Sequence, residues 1–259
     1  MKRTNLFWSW LWTILGILYF FLPLLATFVF SLRAAKGILS FKAYANLFDD
    51  PKFVTSFSSS VLWAILTIIL GLIIFVPTAY WVRLRVPQFR PVVELITLLP
   101  FVIPAIVYVF GLVRTYSHPP LLIVNSPALL VAGYTVLSMP YMYRAIDTGL
   151  RAIDVQTLTE AAQSLGAGWG TILFRVIFPN IRVAILSGAF LSFAIVLGEY
   201  ILAQYLAKPA FGPYIGLLIQ NKAYEPAAAT IISFGLTWAA IGILDIVGRG
   251  RQTQVADGH

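Results

Sequence analysis

The residues that could carry chemistry in this chain are few. There is no cysteine, which excludes a disulfide framework, a thiol nucleophile and a cysteine metal site. The two histidines, His118 and His259, are too isolated to form a metal site or a catalytic centre. No G-x-x-x-x-G-K-[S/T] segment is present, so the chain has no phosphate-binding loop of its own. The sequence therefore predicts a chain that is not an enzyme and binds no cofactor or metal itself.

One polar segment, 151–180, lies between two hydrophobic stretches and still shows helical order. Its first apolar set repeats at the spacing of one helix face. The members of that set are Val155, Leu158, Ala161, Ala162 and Leu165. Gly166 follows, where a helix commonly ends in a left-handed residue, and a second helical run ends near Pro179. Each predicted helix has about eleven residues and spans roughly 16 Å, too short for a hydrocarbon core of about 30 Å. The pair is expected to dock on another protein or to lie on the membrane surface.

Two signals compete for the start of the first of these helices. The run Thr157-Leu158-Thr159-Glu160 has the form of a capping box, in which Glu160 bonds back to the helix start. Asp154 is the competing N-cap. The sequence leaves both interpretations open, and Glu160 is a candidate contact residue under either.

The composition places most of the chain in a membrane. It is 59% hydrophobic and only 11% charged, against about 25% charged in soluble domains, and its mean hydropathy is +0.86. Six stretches have membrane-crossing length, which predicts an all-α, polytopic membrane protein. The predicted spans are 9–30, 57–82, 92–113, 121–143, 181–206 and 227–247.

The net charge of +8 is explained by orientation in the membrane. If the N-terminus is cytoplasmic, more Lys and Arg residues fall in the inside loops than in the outside loops, as the positive-inside rule requires. We therefore expect both termini in the cytoplasm and a lipid environment, and we expect no nucleic-acid partner.

Polar and helix-breaking residues inside the spans are candidates for a solute pathway. Pro100 and Pro104 should bend or break the third span, and irregular backbone at membrane depth must face protein or water. Glu199, followed by Tyr200, lies in the outer half of the fifth span. A packing kink at the prolines, and a structural role for Glu199, are the competing interpretations.

The spaced residues of the polar segment carry a resemblance. Glu160-Ala161-Ala162, three residues, Gly166, nine residues and Val176-Ile177-Phe178-Pro179 resemble the EAA loop of permease subunits of bacterial ABC importers. That family's pattern is E-A-A-x3-G-x9-I-x-L-P, from which this chain departs at Val176 and Phe178. The P-x-A-Y run that ends at Tyr80 is also similar to the family.

The resemblance implies a MetI-like fold of six transmembrane helices with a cytoplasmic coupling helix. Residues 1–56 would form an N-terminal transmembrane helix and external segment, 57–249 the permease domain with its coupling loop at 151–180, and 250–259 a polar tail. Glu160, Ala161, Ala162 and Gly166 would couple the chain to an ATPase, and Pro179 would direct the chain into the fifth span.

The resemblance also implies the partners. They are separate ABC ATPase subunits, which bind ATP and Mg, a second and non-identical permease, and an external solute-binding protein at a bacterial inner membrane. The spermidine/putrescine group is the most similar in appearance, and iron, phosphonate and molybdate permeases are the alternatives. A proton-coupled carrier, with Glu199, Glu94 or Asp147 as relay, is a further alternative that leaves the EAA pattern unexplained.

Overall fold

The computed structural model describes residues 6–35 and 38–249, so the predicted polar tail at 250–259 lies outside the described residues. All the long regular elements in these ranges are helices, and no β-strand occurs there. In chain order the first seven are α1 (Leu6–Ser31), α2 (Lys42–Phe48), α3 (Pro51–Leu84), α4 (Arg90–Val102), α5 (Ala105–Tyr116), α6 (Pro127–Arg151) and α7 (Val155–Ser164). They are followed by α8 (Trp169–Thr171), α9 (Phe178–Asn180), α10 (Arg182–Gly198), α11 (Ile201–Tyr205), α12 (Phe211–Asn221) and α13 (Glu225–Arg249).

Helices overlap all six predicted spans, and up to four of these spans are long and apolar enough in the described residues to cross a membrane. Trp8–Ala34 and Pro51–Leu84 are each long and apolar enough to cross a membrane alone. Two more spans result if each of two bent helix pairs is counted as one, namely Pro87–Val102 with Ala105–Tyr116 and Trp169–Asn180 with Arg182–Gly198. The remaining predicted spans correspond to α6 and α13, each of 25 residues and thus about 37 Å long.

The third predicted span is broken, as its prolines indicate. α4 ends at Val102, Ile103 is extended, and α5 begins after Pro104 at an angle of 100°. The break lies at Pro104 because a proline restricts the residue before it, here Ile103, to extended backbone. Pro100 lies inside α4, so only one of the two prolines marks the interruption.

Two predicted spans, the fourth and the fifth, are wrong in their bounds. The fourth span does not begin at residue 121, because Ser126 accepts a hydrogen bond from the Ala128 N–H at 3.2 Å and starts α6 with Pro127 in its first turn. α6 also continues to Arg151, beyond the predicted end at 143. The fifth span is not one helix, because α10 ends at Gly198, with Glu199 extended, and α11 begins only at Ile201.

The chain divides into two compact units. Of the described residues, one unit contains those from 6 to 54 together with 214–239, and the other contains 55–213 with 240–249. In the first unit, the segment between the first two spans forms the short helix α2. Side-chain bonds tie it to the rest of that unit, since Asn46 donates to Glu225 at 2.9 Å and Tyr214 donates to Asp50 at 2.9 Å.

The second unit is centred on the packing of α10 against α6. Small residues allow the two backbones to approach, because a Cβ on Gly188 would meet the Ala145 Cβ and the Met142 Cα at 3.2 Å. Two separate hydrophobic clusters form along this pair. One contains residues of α3, α6, α7 and α10, and the other contains residues of α5, α6 and α11.

Candidate functional site

The coupling-loop residues form a capped helix, α7. The Asp154 carboxylate accepts from the Thr157 N–H at 3.1 Å and from the Thr157 hydroxyl at 2.7 Å. Asp154 is therefore the N-cap and the capping-box interpretation is wrong, because the Glu160 carboxylate instead accepts from the Gln156 amide at 2.9 Å. The hydrogen bonds from Thr157 hold the pKa of the Asp154 carboxyl below its usual value, so the cap persists at neutral pH and is lost as the pH falls through that lowered pKa.

The other end of α7 confirms the prediction for Gly166. Its φ of +79° is in the left-handed region, where a side chain is disfavoured. The Gly166 N–H donates to the Gln163 carbonyl at 2.9 Å and the Ala167 N–H donates to the Ala162 carbonyl at 3.0 Å. This is a Schellman motif, and it fixes the direction in which the chain leaves the helix.

The two alanines of the motif face opposite ways. Ala162 is 9% exposed and packs, with Val155 and Leu158, in the chain's own hydrophobic cluster. Ala161 and Glu160 are exposed. The apolar face of α7 is therefore largely used within this chain. The surface left for a partner is the opposite face, which carries Glu160, Ala161, Gln163, Ser164 and Leu165.

A buried hydrogen bond fastens α7 to α3. The hydroxyls of Tyr80 and Thr159 are 2.9 Å apart, and these residues are 0% and 2% exposed. The next residue of α3, Trp81, lies against Trp169 of α8 with 4.7 Å between ring centroids. The Arg85 guanidinium lies 5.9 Å and 5.6 Å from those two rings, within cation–π range. The end of α3 thus contacts both helices of the loop.

The second loop helix leads into the fifth span. It runs from Trp169 to Asn180 and includes a π-helical stretch at Ile172–Ile177. The chain then turns by 80° into α10. Pro179 is exposed and lies two residues before the turn. Its predicted role in directing the chain is compatible with this position.

A cluster of charges, not predicted as a unit, lies beside the loop. Asp147 of α6 is 6% exposed, and its carboxylate pairs with three arginines, Arg83 and Arg90 at 3.3 Å and Arg151 at 2.7 Å. Glu94 of α4 pairs with Arg90 at 2.9 Å and with Arg151 at 3.1 Å. These ion pairs join the ends of α3, α4 and α6.

Glu199 occupies the break between α10 and α11. Its carboxylate oxygens accept from the Leu202 N–H at 2.9 and 3.0 Å and from the Ala203 N–H at 3.3 Å, so the side chain caps α11. Tyr200 is 42% exposed. Pro104 marks the corresponding break before α5, and α5 packs against α11, the helix that follows the Glu199 break. Of the coupling residues, Ala162 belongs to the other hydrophobic cluster.

Close packing at the Glu199 break makes a specific prediction for Gly212. A Cβ at this position would clash with the carbonyl oxygen of Glu199. We expect Gly212→Ala to reduce the free energy of unfolding by roughly 1–3 kcal/mol because the backbone must shift. The measurement is thermal unfolding in detergent. Gly170→Ala is the control, since a Cβ there meets no atom within 4 Å, and it should be neutral or stabilising.

The sequence interpretation missed the residues that hold the loop in place. In the sequence, Tyr80 stands out only as part of the P-x-A-Y run, and Thr159 stands out only as part of the possible capping box. Trp81, Trp169 and Arg85 carry no local signal of their contact, because it joins residues far apart in sequence. Asp147 stands out in the sequence only as a candidate relay of the proton-coupled alternative, and nothing local indicates its three arginine partners.

The described residues form long helices of membrane-crossing length, with a capped, partly exposed helix pair between two of them, and this is the architecture of a multi-pass membrane protein. The chain belongs to the family described as "Binding-protein-dependent transport system inner membrane component", whose model matches residues 78–250. It is thus an ABC permease of MetI-like type, as the EAA resemblance implies.

Relatives in this family carry different solutes according to their names. The chain is 29% identical over 239 residues to a probable sulfate transport system permease protein, CysT, of Chlorokybus atmophyticus, covering 86% of this chain and 82% of that protein. It is 28% identical over 261 residues to the molybdenum transport system permease protein ModB of Mycobacterium tuberculosis, covering 96% and 95%. It is 25% identical over 183 residues to the spermidine/putrescine permease PotB of Haemophilus influenzae, covering 65% and 63%.

Solved structures support the fold. A chain of a bacterial ABC transporter involved in the import of the acidic polysaccharide alginate matches with a TM-score of 0.70 and 17% identity, covering 94% of each chain. A chain from a complex of the alginate transporter with its alginate pentasaccharide-bound periplasmic protein matches with a TM-score of 0.71 and 18% identity, covering 94% of this chain and 93% of that one.

Proposed function

We propose that this chain forms half of the solute pathway of an ATP-driven importer and that α7 couples it to a separate ATPase subunit. In this arrangement both termini and α7 are cytoplasmic. A second, non-identical permease completes the pathway, and an external binding protein delivers the solute. ATP and Mg are bound by the ATPase.

The observation that carries this proposal is that the two ends and the inner face of α7 are fixed, whereas its outer face is exposed. Asp154 and Gly166 fix its two ends, and the bond between Tyr80 and Thr159 fixes its inner face. Its outer face, with Glu160 and Ala161, is left exposed. A rigid helix with a free outer face can transmit a partner's movement into the spans, which is how a bound partner biases a two-state element.

Several solute classes are candidates. The resemblance to the spermidine/putrescine group predicts a polyamine, whereas other relatives are named for molybdenum, sulfate or ferric transport. Both oxygens of Glu199 already accept backbone hydrogen bonds, which favours a structural role for this carboxylate over binding of a solute ammonium group.

The test is uptake into proteoliposomes. The chain would be co-expressed with the products of its neighbouring genes, purified as an assembly and reconstituted with ATP inside and binding protein outside. We expect uptake that requires ATP and all subunits. Parallel assays with labelled spermidine, molybdate and sulfate distinguish the solute classes. Uptake by this chain alone, driven by a proton gradient, would contradict the proposal.

A further inference from the structure

The α3 helix contacts the coupling loop through side chains alone, since in sequence that loop joins α6 to α10. One link is the packing of Trp81 against Trp169, and the hydrogen-bonded link is the bond between Tyr80 and Thr159, at 2.9 Å in a buried position. The Thr159 hydroxyl also donates to the Val155 carbonyl at 2.6 Å. Because a threonine hydroxyl has one proton, Tyr80 must be the donor to Thr159. The tyrosine therefore depends on Thr159 for its partner.

The N-terminal half of α3 is hydrogen-bonded to the segment that connects α11 and α12. The Ser60 hydroxyl, fully buried, accepts from the Phe211 N–H at 2.8 Å. The Trp63 indole N–H donates to the Pro209 carbonyl at 3.1 Å. Ser60 and Tyr80 are twenty residues apart on one uninterrupted helix, which corresponds to about 30 Å.

The connection held by Ser60 lies directly on the break in the fifth span. Gly212 is packed against the Glu199 carbonyl so closely that no side chain fits between them. The extended residue Glu199 separates α10 from α11. A displacement of α3 along its axis would therefore press on this break, since the packed atoms leave little free space to absorb it.

We infer that α3 transmits the movement of α7 over about 30 Å to the Glu199 break, with Thr159, Tyr80 and Ser60 as positioning residues. The inference rests on the proposed function, because closure of the ATPase is the event that moves α7. It adds a route to the spans through side chains, besides the covalent routes through α6 and α10.

The absence of cysteine in this chain allows a direct test, because one introduced thiol is then the only thiol at which this chain can be labelled, and the label is read on this chain after the subunits are separated. Gln204 is exposed on α11, so the probe is Gln204→Cys in the complete assembly in nanodiscs, reacted with a maleimide with and without ATP and vanadate. Thr159→Val removes the hydroxyl and keeps the β-branched shape, whereas Thr159→Ser keeps the hydroxyl.

With Thr159 present, we expect ATP and vanadate to change the labelling rate roughly fivefold or more. Thr159→Val should reduce that change by half or more while the ATPase stays bound, and Thr159→Ser should retain it. Tyr80→Phe should act like Thr159→Val and serves if the valine variant does not assemble. The double variant, Thr159→Val with Tyr80→Phe, should reduce the change in labelling rate no further than either single variant, because both substitutions remove the same bond.

Two outcomes would overturn the inference in different ways. An unchanged response in Thr159→Val and Tyr80→Phe, with ATPase bound, would show that α3 does not carry the movement and would leave the proposed function intact. Failure of the parent Gln204→Cys assembly to retain an ATPase would overturn the proposed function, and this inference with it.

Discussion

Replacing Glu160 with arginine should release the ATPase from this chain and leave the chain folded. Glu160 is exposed on the outer face of α7, and its one side-chain contact is the amide of Gln156 at 2.9 Å. Losing an exposed contact one helical turn away costs only about 0.2–0.5 kcal/mol of folding free energy. Reversing a charge that is desolvated at an interface costs about 2–5 kcal/mol of binding, or roughly 30-fold or more in affinity.

The measurement is co-purification from cells that express the neighbouring genes, followed by an ATPase assay in lipid. Asn180→Arg is the control, since it places the same arginine side chain in the same loop at an exposed position outside α7, and it raises the net charge by one where Glu160→Arg raises it by two. It should retain the ATPase. If Glu160→Arg keeps a full complement of ATPase with hydrolysis still coupled to uptake, α7 is not the docking element.

Replacing Asp147 with asparagine keeps the shape of the side chain. Among such substitutions in the second unit, we expect it to lower the free energy of unfolding the most. Asp147 is buried and pairs with Arg83, Arg90 and Arg151. Without its charge, three arginines face each other and only Glu94 balances two of them. Removing one partner of a buried pair costs about 3–5 kcal/mol, and partial solvent exposure of the arginines lowers our expectation to about 2–4 kcal/mol.

Thermal unfolding in detergent measures this effect. Glu94→Gln should cost less, because the Glu94 side chain is 45% exposed, and Asp49→Asn, at the exposed residue that follows α2, should be close to neutral. Equal unfolding midpoints for Asp147→Asn and Asp49→Asn would show that the ion pairs do not stabilise the fold.

These pairings also bear on the proton-coupled alternative. A relay needs a carboxylate that can exchange its proton along the pathway. Asp147 and Glu94 are held by arginines, and Glu199 is held by the backbone of α11. None of the three carboxylates is free in this structure, whereas the EAA pattern and the family membership both agree with an importer permease.

Local sequence signals predicted those features that depend on neighbours along the chain. The membrane class followed from composition, and the left-handed position of Gly166 followed from the freedom of a residue without a Cβ. The break before α5 followed from Pro104, which restricts the backbone wherever it occurs. Asp154 was recognised as one of two possible caps, but the choice between them required the position of the first helical turn.

The sequence by itself therefore determined that this chain is a helical membrane protein with an EAA-type loop, because apolar length, glycine and proline act locally. Only the tertiary structure decided which face of α7 is free, because the burial of Ala162 depends on α3 and α6 packing beneath it. The same is true of the bond between Tyr80 and Thr159, whose partners are 79 residues apart. The role of Glu199 as a cap was likewise decided by where α10 ends, which depends on the packing around Gly212.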